Sequence, residues 1–446
     1  MLSHEFIAEL HCPCCGSSFH LESEVPEAGE SRTVRFGILR CACYRYPIVE
    51  GIAILRQQSG PADTNDEVTS QIESQKFDRA LAVALQSASP IPRTHRRWQA
   101  LASFLGKGYR TAVQDQSAAA LSFKQALTLH RPSSYADYLF HRNANNSFLA
   151  AIPLILLLKE VAASTETEDR ETWFLDLNCG VGHASFLARR FFPALRSVAT
   201  DHDFVNLYLA RRYMVPGSVC LCLDAELPLP FGEDFLDAVL CLDGLHYVRS
   251  KRALIKELDR ISRNDAIWLF PHMHNALQTN FSPGVPLRPE DYQRCFDFLP
   301  IRTLVESEVF RTFMLDQELD LGTAKAPAEL ESAQVLSLVA SRRSNLWRRH
   351  DDLKDLLLAN KSAIAINPVY QATGNAPNAV RLQMSWPAPF LEKECEPVRE
   401  FLPQEVNLDS GLWARLCNHQ VRSDDEPTVN ELMKKFVVVP LPSNYS

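Results

Sequence analysis

The chain carries no excess of positive charge. Its 46 Lys and Arg residues face 54 Asp and Glu, a formal net charge of −8 over 446 residues, and no basic run stands out. Such a chain is poorly equipped to grip phosphate backbones by bulk charge, which argues against nucleic acid as a partner. Long apolar runs are also missing. The longest, FLAAIPLILLL from Phe148 to Leu158, is too short for a bilayer span and contains Pro153, so a buried helix and no membrane span are expected. The opening MLSHEFIAELHCPCC lacks the basic start and apolar core of a secretory signal, which makes a cytoplasmic location the expectation. Internal repeats and low-complexity tracts are absent too. A hydrophobic share of 46% with 22% charged residues excludes wholesale disorder and fibrous architectures.

Four sections can be separated along the length. Residues 1–58 hold five of the twelve cysteines and end in YPIVEGIAIL. The polar stretch QQSGPADTNDE reads as a linker, and residues 67–165 read as a helical linker region broken at SPIPR and RPSS. Residues 166–320 alternate short apolar runs with amphipathic segments, the rhythm of βαβ units. Residues 325–446 carry one charged helical segment, RRHDDLKDLLLANK, and two strand-like runs, an α+β accessory region of unknown role.

In the third section the candidate strands are WFLDLN (173–178), SVATD (197–201), VCLCL (219–223), LDAVLCL (236–242) and AIWLFP (266–271). They are apolar throughout rather than alternating, as strands covered on both faces are. Ligands in such sheets sit beyond the carboxyl ends of the strands. After the first strand come Asp176, Asn178, Gly180 and Gly182, where the glycines allow a tight turn and close approach by a ligand. Asp201 ends the second strand, 19 residues after Gly182, placed to accept both hydroxyls of a ribose. Asp224 and Ala225 follow the third strand, where a carboxylate and a free N–H suit an adenine edge. The fourth leads through Cys241 and Leu242 to His246 and Tyr247.

The passages DLNCGVGHAS, VATDHD and DAELPLPFGEDFLDAVLCLDGLHYV resemble class I S-adenosylmethionine-dependent methyltransferases, in the broad branch acting on small molecules and lipids. The resemblance spans roughly residues 135–315. It implies a Rossmann-like α/β core with S-adenosylmethionine as cofactor. Asp176, Asn178, Gly180 and Gly182 would surround the methionine moiety. Asp201, with His202 beside it, would hold the ribose, and Asp224 and Ala225 the adenine. Cys241 and Leu242 would sit beside the methionyl amine. Asn178 stands where that family often has glycine, and asparagine tolerates left-handed backbone better than other non-glycine residues. The competing nicotinamide fingerprint wants a third glycine where this chain has Ser185. His246, His272 and His274 are candidate general bases for the acceptor. Tyr135 and Tyr138 could close over the site.

Cys12, Cys15, Cys41 and Cys43 form two short-spaced pairs that could hold one zinc in a tetrahedron, with Cys14 an alternative ligand. The pattern LHCPCCG…GILRCACYRYPIVEGIAIL resembles the small zinc-ribbon proteins that activate methyltransferases. That resemblance implies an N-terminal ribbon that stabilises the catalytic domain or docks its substrate. The leading expectation is therefore methyl transfer to a small-molecule acceptor. The alternatives are an RNA or protein acceptor docked by the ribbon, and a non-catalytic scaffold.

Overall fold

The computed structural model describes all residues except 28, 57–63, 88–120, 166–169, 281, 317 and 377. The expected break at SPIPR lies outside the described residues. The expected linker QQSGPADTNDE lies partly outside them, and its described end starts the helix Thr64–Glu73.

The chain opens with four strands, β1 (His20–Glu27), β2 (Glu30–Arg40), β3 (Arg45–Val49) and β4 (Ile52–Ile54), each antiparallel to the next. The five apolar runs of the α/β section follow as β5 (Trp173–Leu177), β6 (Arg196–Asp201), β7 (Val219–Cys222), β8 (Leu236–Leu240) and β9 (Ser262–His274). Each falls where its sequence places it, and β9 runs several residues longer at both ends. These five are parallel, in the order β7-β6-β5-β8-β9. Two further strands, β10 (Ile301–Val305) and, after the short β11 (Leu319–Asp320), β12 (Val335–Ser341), add antiparallel edges beyond β9.

Strand pairing crosses the expected section boundaries. β12 lies past residue 320 yet pairs with β9, so the core sheet draws on the C-terminal section. β4 pairs parallel with β7, with Ile52 opposite Cys220 and Ile54 opposite Cys222. The N-terminal strands thus continue the central sheet into one of eleven strands, β1-β2-β3-β4-β7-β6-β5-β8-β9-β12-β10. Arg211 reinforces the seam. Its guanidinium donates to both Glu27 oxygens (2.8 and 2.6 Å) and to Glu50 O (2.7 Å). Gly51, at φ 71°, leaves room for it, since a Cβ there would lie 2.7 Å from the Arg211 nitrogen.

The helix Asn146–Leu156 is buried at every residue and capped by Asn145, whose side chain accepts from Ser147 N. The apolar stretch Asn146–Ala163 is the one segment among the described residues long and apolar enough to be weighed as a membrane span, and it is mostly buried inside the fold. It belongs to the core rather than to a linker. The C-terminal section packs on it through Leu357, Phe436 and Val438. The C-terminal section also hooks under the central domain. The Tyr445 hydroxyl donates to Phe140 O (2.9 Å) and lies 3.0 Å from His183 Nε2.

Candidate functional site

Beyond the carboxyl ends of β5, β6, β7 and β8 opens a cavity of about 1300 Å³. Its first half is built from loops that each follow one strand. Between β5 and the helix His183–Phe191 the backbone turns left-handed at Asn178 (φ 59°), Gly180 (φ 56°) and Gly182 (φ 85°). A Cβ on Gly180 would meet nothing within 4 Å, so this backbone faces open space. At Gly182 a Cβ would lie 3.1 Å from Ala210 Cβ, so that glycine serves helix packing behind the wall.

Asp201 closes this loop from the next strand. Its Oδ2 accepts from Gly180 N (2.8 Å) and its Oδ1 from Asp203 N (2.8 Å). Enclosure by the protein pushes its carboxyl up to about 6. Asp176 lies deeper. Its Oδ2 accepts from Ser185 N (3.0 Å) and Ser185 Oγ (2.5 Å), while its Oδ1 is buried without a partner. Burial pushes Asp176 up to about 7. Asp224 Oδ1 accepts from Glu226 N (3.0 Å), a local turn that shapes the loop after β7.

The second half of the cavity has no such regularity. Asp243, in left-handed backbone (φ 55°) after β8, takes hydrogen bonds through Oδ2 from Tyr138 Oη (3.0 Å) and an Arg142 nitrogen (3.1 Å). His272, also left-handed (φ 61°), sets Nδ1 2.9 Å from Glu306, which in turn accepts from Asn146 (3.0 Å). Burial works against the imidazolium of His272, yet Glu306 and Asp243 outweigh it and push its pKa up to about 9. The stacked rings of His246 and His274 lie 3.8 Å apart, and burial pushes them down to about 3 and about 4. Phe390, Lys393 and Glu394 of the C-terminal section complete the wall.

Of the residues singled out in the sequence, Asp176, Asn178, Gly180, Asp201, His202, Asp224, Ala225, Leu242, His272 and His274 line this one cavity. Gly182, Cys241 and His246 lie behind its surface. Cys241 and His246 are fully buried, because strand β8 and the turn after it point them into the core. Tyr135 and Tyr138 line the cavity from the helix Ser133–Phe140 rather than packing only into the core. Arg142, Asp243 and Glu306 carry the second half and have no motif around them. Only Asp243 could have been found, from its place just past a parallel strand.

Outside the cavity lining, the sulfur atoms of Cys12, Cys15, Cys41 and Cys43 lie within 4.8 Å of one another. Cys43 Sγ is 3.7 Å from Cys12 Sγ and 3.5 Å from Cys41 Sγ. Cys14 is not in this group: its backbone N donates to Cys12 Sγ (3.4 Å) and its thiol lies 3.8 Å from the Tyr46 hydroxyl. The group has the four-sulfur donor set that suits a tetrahedral metal site.

Residues 175–270 match the methyltransferase domain family. The parallel sheet and its strand-end cavity give this section the Rossmann-like class I methyltransferase fold. Comparison with curated protein sequences finds no match. Among solved structures, the YcgJ protein of Bacillus subtilis is similar at 15% identity, covering 41% of this chain and 97% of its own, with a TM-score of 0.27. A complex of the Trm112 methyltransferase activator with a methyltransferase, from Haloferax volcanii, is similar at 16% identity, covering 44% and 96%, with a TM-score of 0.29. Geranyl diphosphate C-methyltransferase of Streptomyces coelicolor is similar at 13% identity, covering 42% and 80%, with a TM-score of 0.30.

Proposed function

We propose that this chain transfers the methyl group of S-adenosylmethionine to a small-molecule acceptor. The observation that carries the reading is the first half of the cavity. There an orphaned buried oxygen of Asp176, an open glycine backbone at Gly180 and the carboxylate of Asp201 converge. These groups fit the cofactor. A buried carboxylate oxygen without a donor suits an ammonium group, and Asp201 suits two vicinal hydroxyls. When bound, the cofactor supplies a sulfonium methyl that is already activated, so alignment is the main demand on the protein.

The chain's own residues meet that demand in two places. Asp176 and Asp201 fix the cofactor's two polar ends. Tyr138, Arg142 and Asp243 form a rigid polar wall on the far side, against which an acceptor is oriented. The C-terminal residues Phe390 and Lys393 add to the cavity wall on this side. The net negative charge favours a small molecule over RNA. We further propose that Cys12, Cys15, Cys41 and Cys43 bind one structural zinc, and that the strands it secures cover the β7 edge.

Calorimetric titration with S-adenosylmethionine tests the cofactor. Incubation with methyl-labelled cofactor and a fractionated cell extract tests the acceptor class. Label is expected in the small-molecule fraction, and label confined to RNA or protein would overturn that class.

A further inference from the structure

The side chains at the acceptor end leave a set of polar atoms unused. Asp243 Oδ1 stands 3.8 Å from His272 Nε2, too far for a hydrogen bond and the spacing that one bridging oxygen fills. The other polar atoms of both groups are committed, Asp243 Oδ2 to Tyr138 and Arg142, and His272 Nδ1 to Glu306. His274 is only 5% exposed, and its Nδ1 has no hydrogen-bond partner among the described residues. Asn280 donates through Nδ2 to Asn275 O (3.1 Å) and Gln278 O (3.0 Å), which leaves its buried Oδ1 without a donor. Asp243, His272, His274 and Asn280 all line the cavity. Buried polar atoms are ordinarily satisfied, and leaving several unmet along one wall is costly.

The chemistry of these atoms selects the ligand. The His246 and His274 rings stack 3.8 Å apart at 12°, so their nitrogens lie in near-parallel planes and converge on no single ion. Burial keeps both rings neutral, and a neutral imidazole offers one donor and one acceptor. The charges beside them are already matched, Arg142 on Asp243 and His272 on Glu306. A carboxylate only accepts hydrogen bonds and an ammonium only donates them, and either brings a charge that this pairing does not answer. A hydroxyl does both and brings none. Tyr247, 49% exposed at the cavity lining, adds an aromatic face that suits the C–H side of a sugar ring.

We propose that the acceptor end binds a neutral polyhydroxylated ligand, a sugar ring or a cyclic polyol, with one hydroxyl bridging Asp243 Oδ1 and His272 Nε2 and others reaching His274 and Asn280. In the bridge the hydroxyl accepts from His272 Nε2–H and donates to Asp243 Oδ1. Lys393, Glu394 and Glu396 line the same cavity with one negative charge over, which makes a cation the competing ligand. The ligand's role as methyl acceptor rests on the methyl-transfer reading, and its binding does not.

The test uses the full-length protein and ligand-observed saturation-transfer NMR, with and without S-adenosylmethionine. The probes are methyl α-glucoside, methyl β-galactoside and myo-inositol, set against benzoate as an anion and benzylamine as a cation. At least one of the polyols is expected to bind with a dissociation constant of about 10 mM or tighter. His274→Leu, which removes both ring nitrogens at the cavity wall, should lower that affinity by about threefold or more. Tyr247→Ala, at an exposed position that the fold does not need, should lower it by about as much and decides the matter if His274→Leu fails to fold. Binding of none of the polyols, an affinity unchanged in the folded variants, or tighter binding of benzylamine or benzoate than of every polyol overturns the proposal. Calorimetry with S-adenosylmethionine on the same sample separates the two readings. A missing cofactor isotherm with a polyol bound fails the methyl-transfer reading alone, and a normal isotherm with no polyol bound fails this inference alone.

Discussion

The two ends of the cavity are built differently. At the end proposed for the cofactor, the residues that carry the reading lie within a few positions of the carboxyl end of one parallel strand. Asp176, Asn178 and Gly180 follow β5, Asp201 ends β6, and Asp224 follows β7. At the acceptor end the wall is assembled from distant pieces. Tyr138 and Arg142 precede the parallel strands, Asp243 follows β8, Phe390 and Lys393 come from the C-terminal section, and Glu306, which backs His272, follows β10. A site made from consecutive strand ends inherits its geometry from the sheet. One made from scattered segments depends on tertiary contacts such as Tyr445 on His183 and Asn146 on Glu306.

The largest expected effect tests how far the cofactor end depends on the N-terminal strands. β4 is fully buried and pairs with β7, whose next residues shape the cofactor wall. If the four cysteines hold zinc, losing it removes folding free energy of about 10–16 kcal/mol, as for small zinc domains. Cys41→Ser should therefore lose the metal, expose the β7 edge and drive the whole chain into the insoluble fraction. A soluble variant with unchanged melting temperature and cofactor affinity would show that the two regions are independent.

The next largest effect is confined to the cofactor end. Charge-assisted hydrogen bonds contribute about 1.5–3 kcal/mol each. Asp201→Ala should weaken S-adenosylmethionine binding by roughly tenfold or more. Equal affinity in the variant and the wild type would remove Asp201 from the site.

That contrast also explains what could be read without coordinates. The five parallel strands were legible because strands buried on both faces leave continuous apolar runs, as in WFLDL and LDAVL. That these strand-end residues line a cavity was legible because parallel sheets place their clefts beyond the carboxyl ends of the strands. The spacing brought the cysteines together as two pairs but left Cys14 as an alternative to Cys12 or Cys15, and the structure groups Cys12, Cys15, Cys41 and Cys43. The continuity of the sheet was not. Nothing in GIAIL announces that it pairs with VCLC more than 160 residues later, since edge pairing is set by backbone geometry rather than side-chain pattern. β12 was missed because VLSLVAS lies beyond the βαβ rhythm. Arg142 and Glu306 were missed because each acts through a partner from another segment. Burial gave the helix Asn146–Leu156 its apolar surface all round, which the sequence shows only as an uninterrupted run.

A smaller effect probes the scattered end. Tyr138 donates to Asp243 and packs under Arg142. Tyr138→Phe keeps the ring and removes one hydrogen bond, worth about 0.5–1.5 kcal/mol. The melting temperature should fall by a few degrees at most, with cofactor affinity within about twofold of wild type, and calorimetry with thermal scanning checks both. A loss of cofactor affinity as large as that of Asp201→Ala would mean that the two ends are one unit.

The smallest effect is a pH dependence belonging to the cofactor end, and its sign distinguishes binding from folding. Burial raises Asp201 to about 6 and Asp176 to about 7. Both folded values lie above the ordinary carboxylate range, so the folded state holds these protons more tightly than the unfolded chain does. Their contribution to stability is fully present below the unfolded pKa of about 4 and is lost as pH rises through about 6 and 7. Cofactor binding runs the other way for Asp201, because only the ionised carboxylate offers all its lone pairs to two hydroxyls. At pH 6, where about half of Asp201 is protonated, its share of the affinity should fall by about twofold relative to pH 7.5. The stability terms of the two carboxylates rise over the same interval. Calorimetric titrations at pH 7.5, 6.5 and 6 in one buffer system read the affinity, and thermal scans of the free protein at the same pH values read stability. Affinity and stability falling together would point to acid unfolding of the wall rather than to protonation of Asp201. An affinity flat to pH 6 in the wild type would mean that the carboxylate does not hold the ribose.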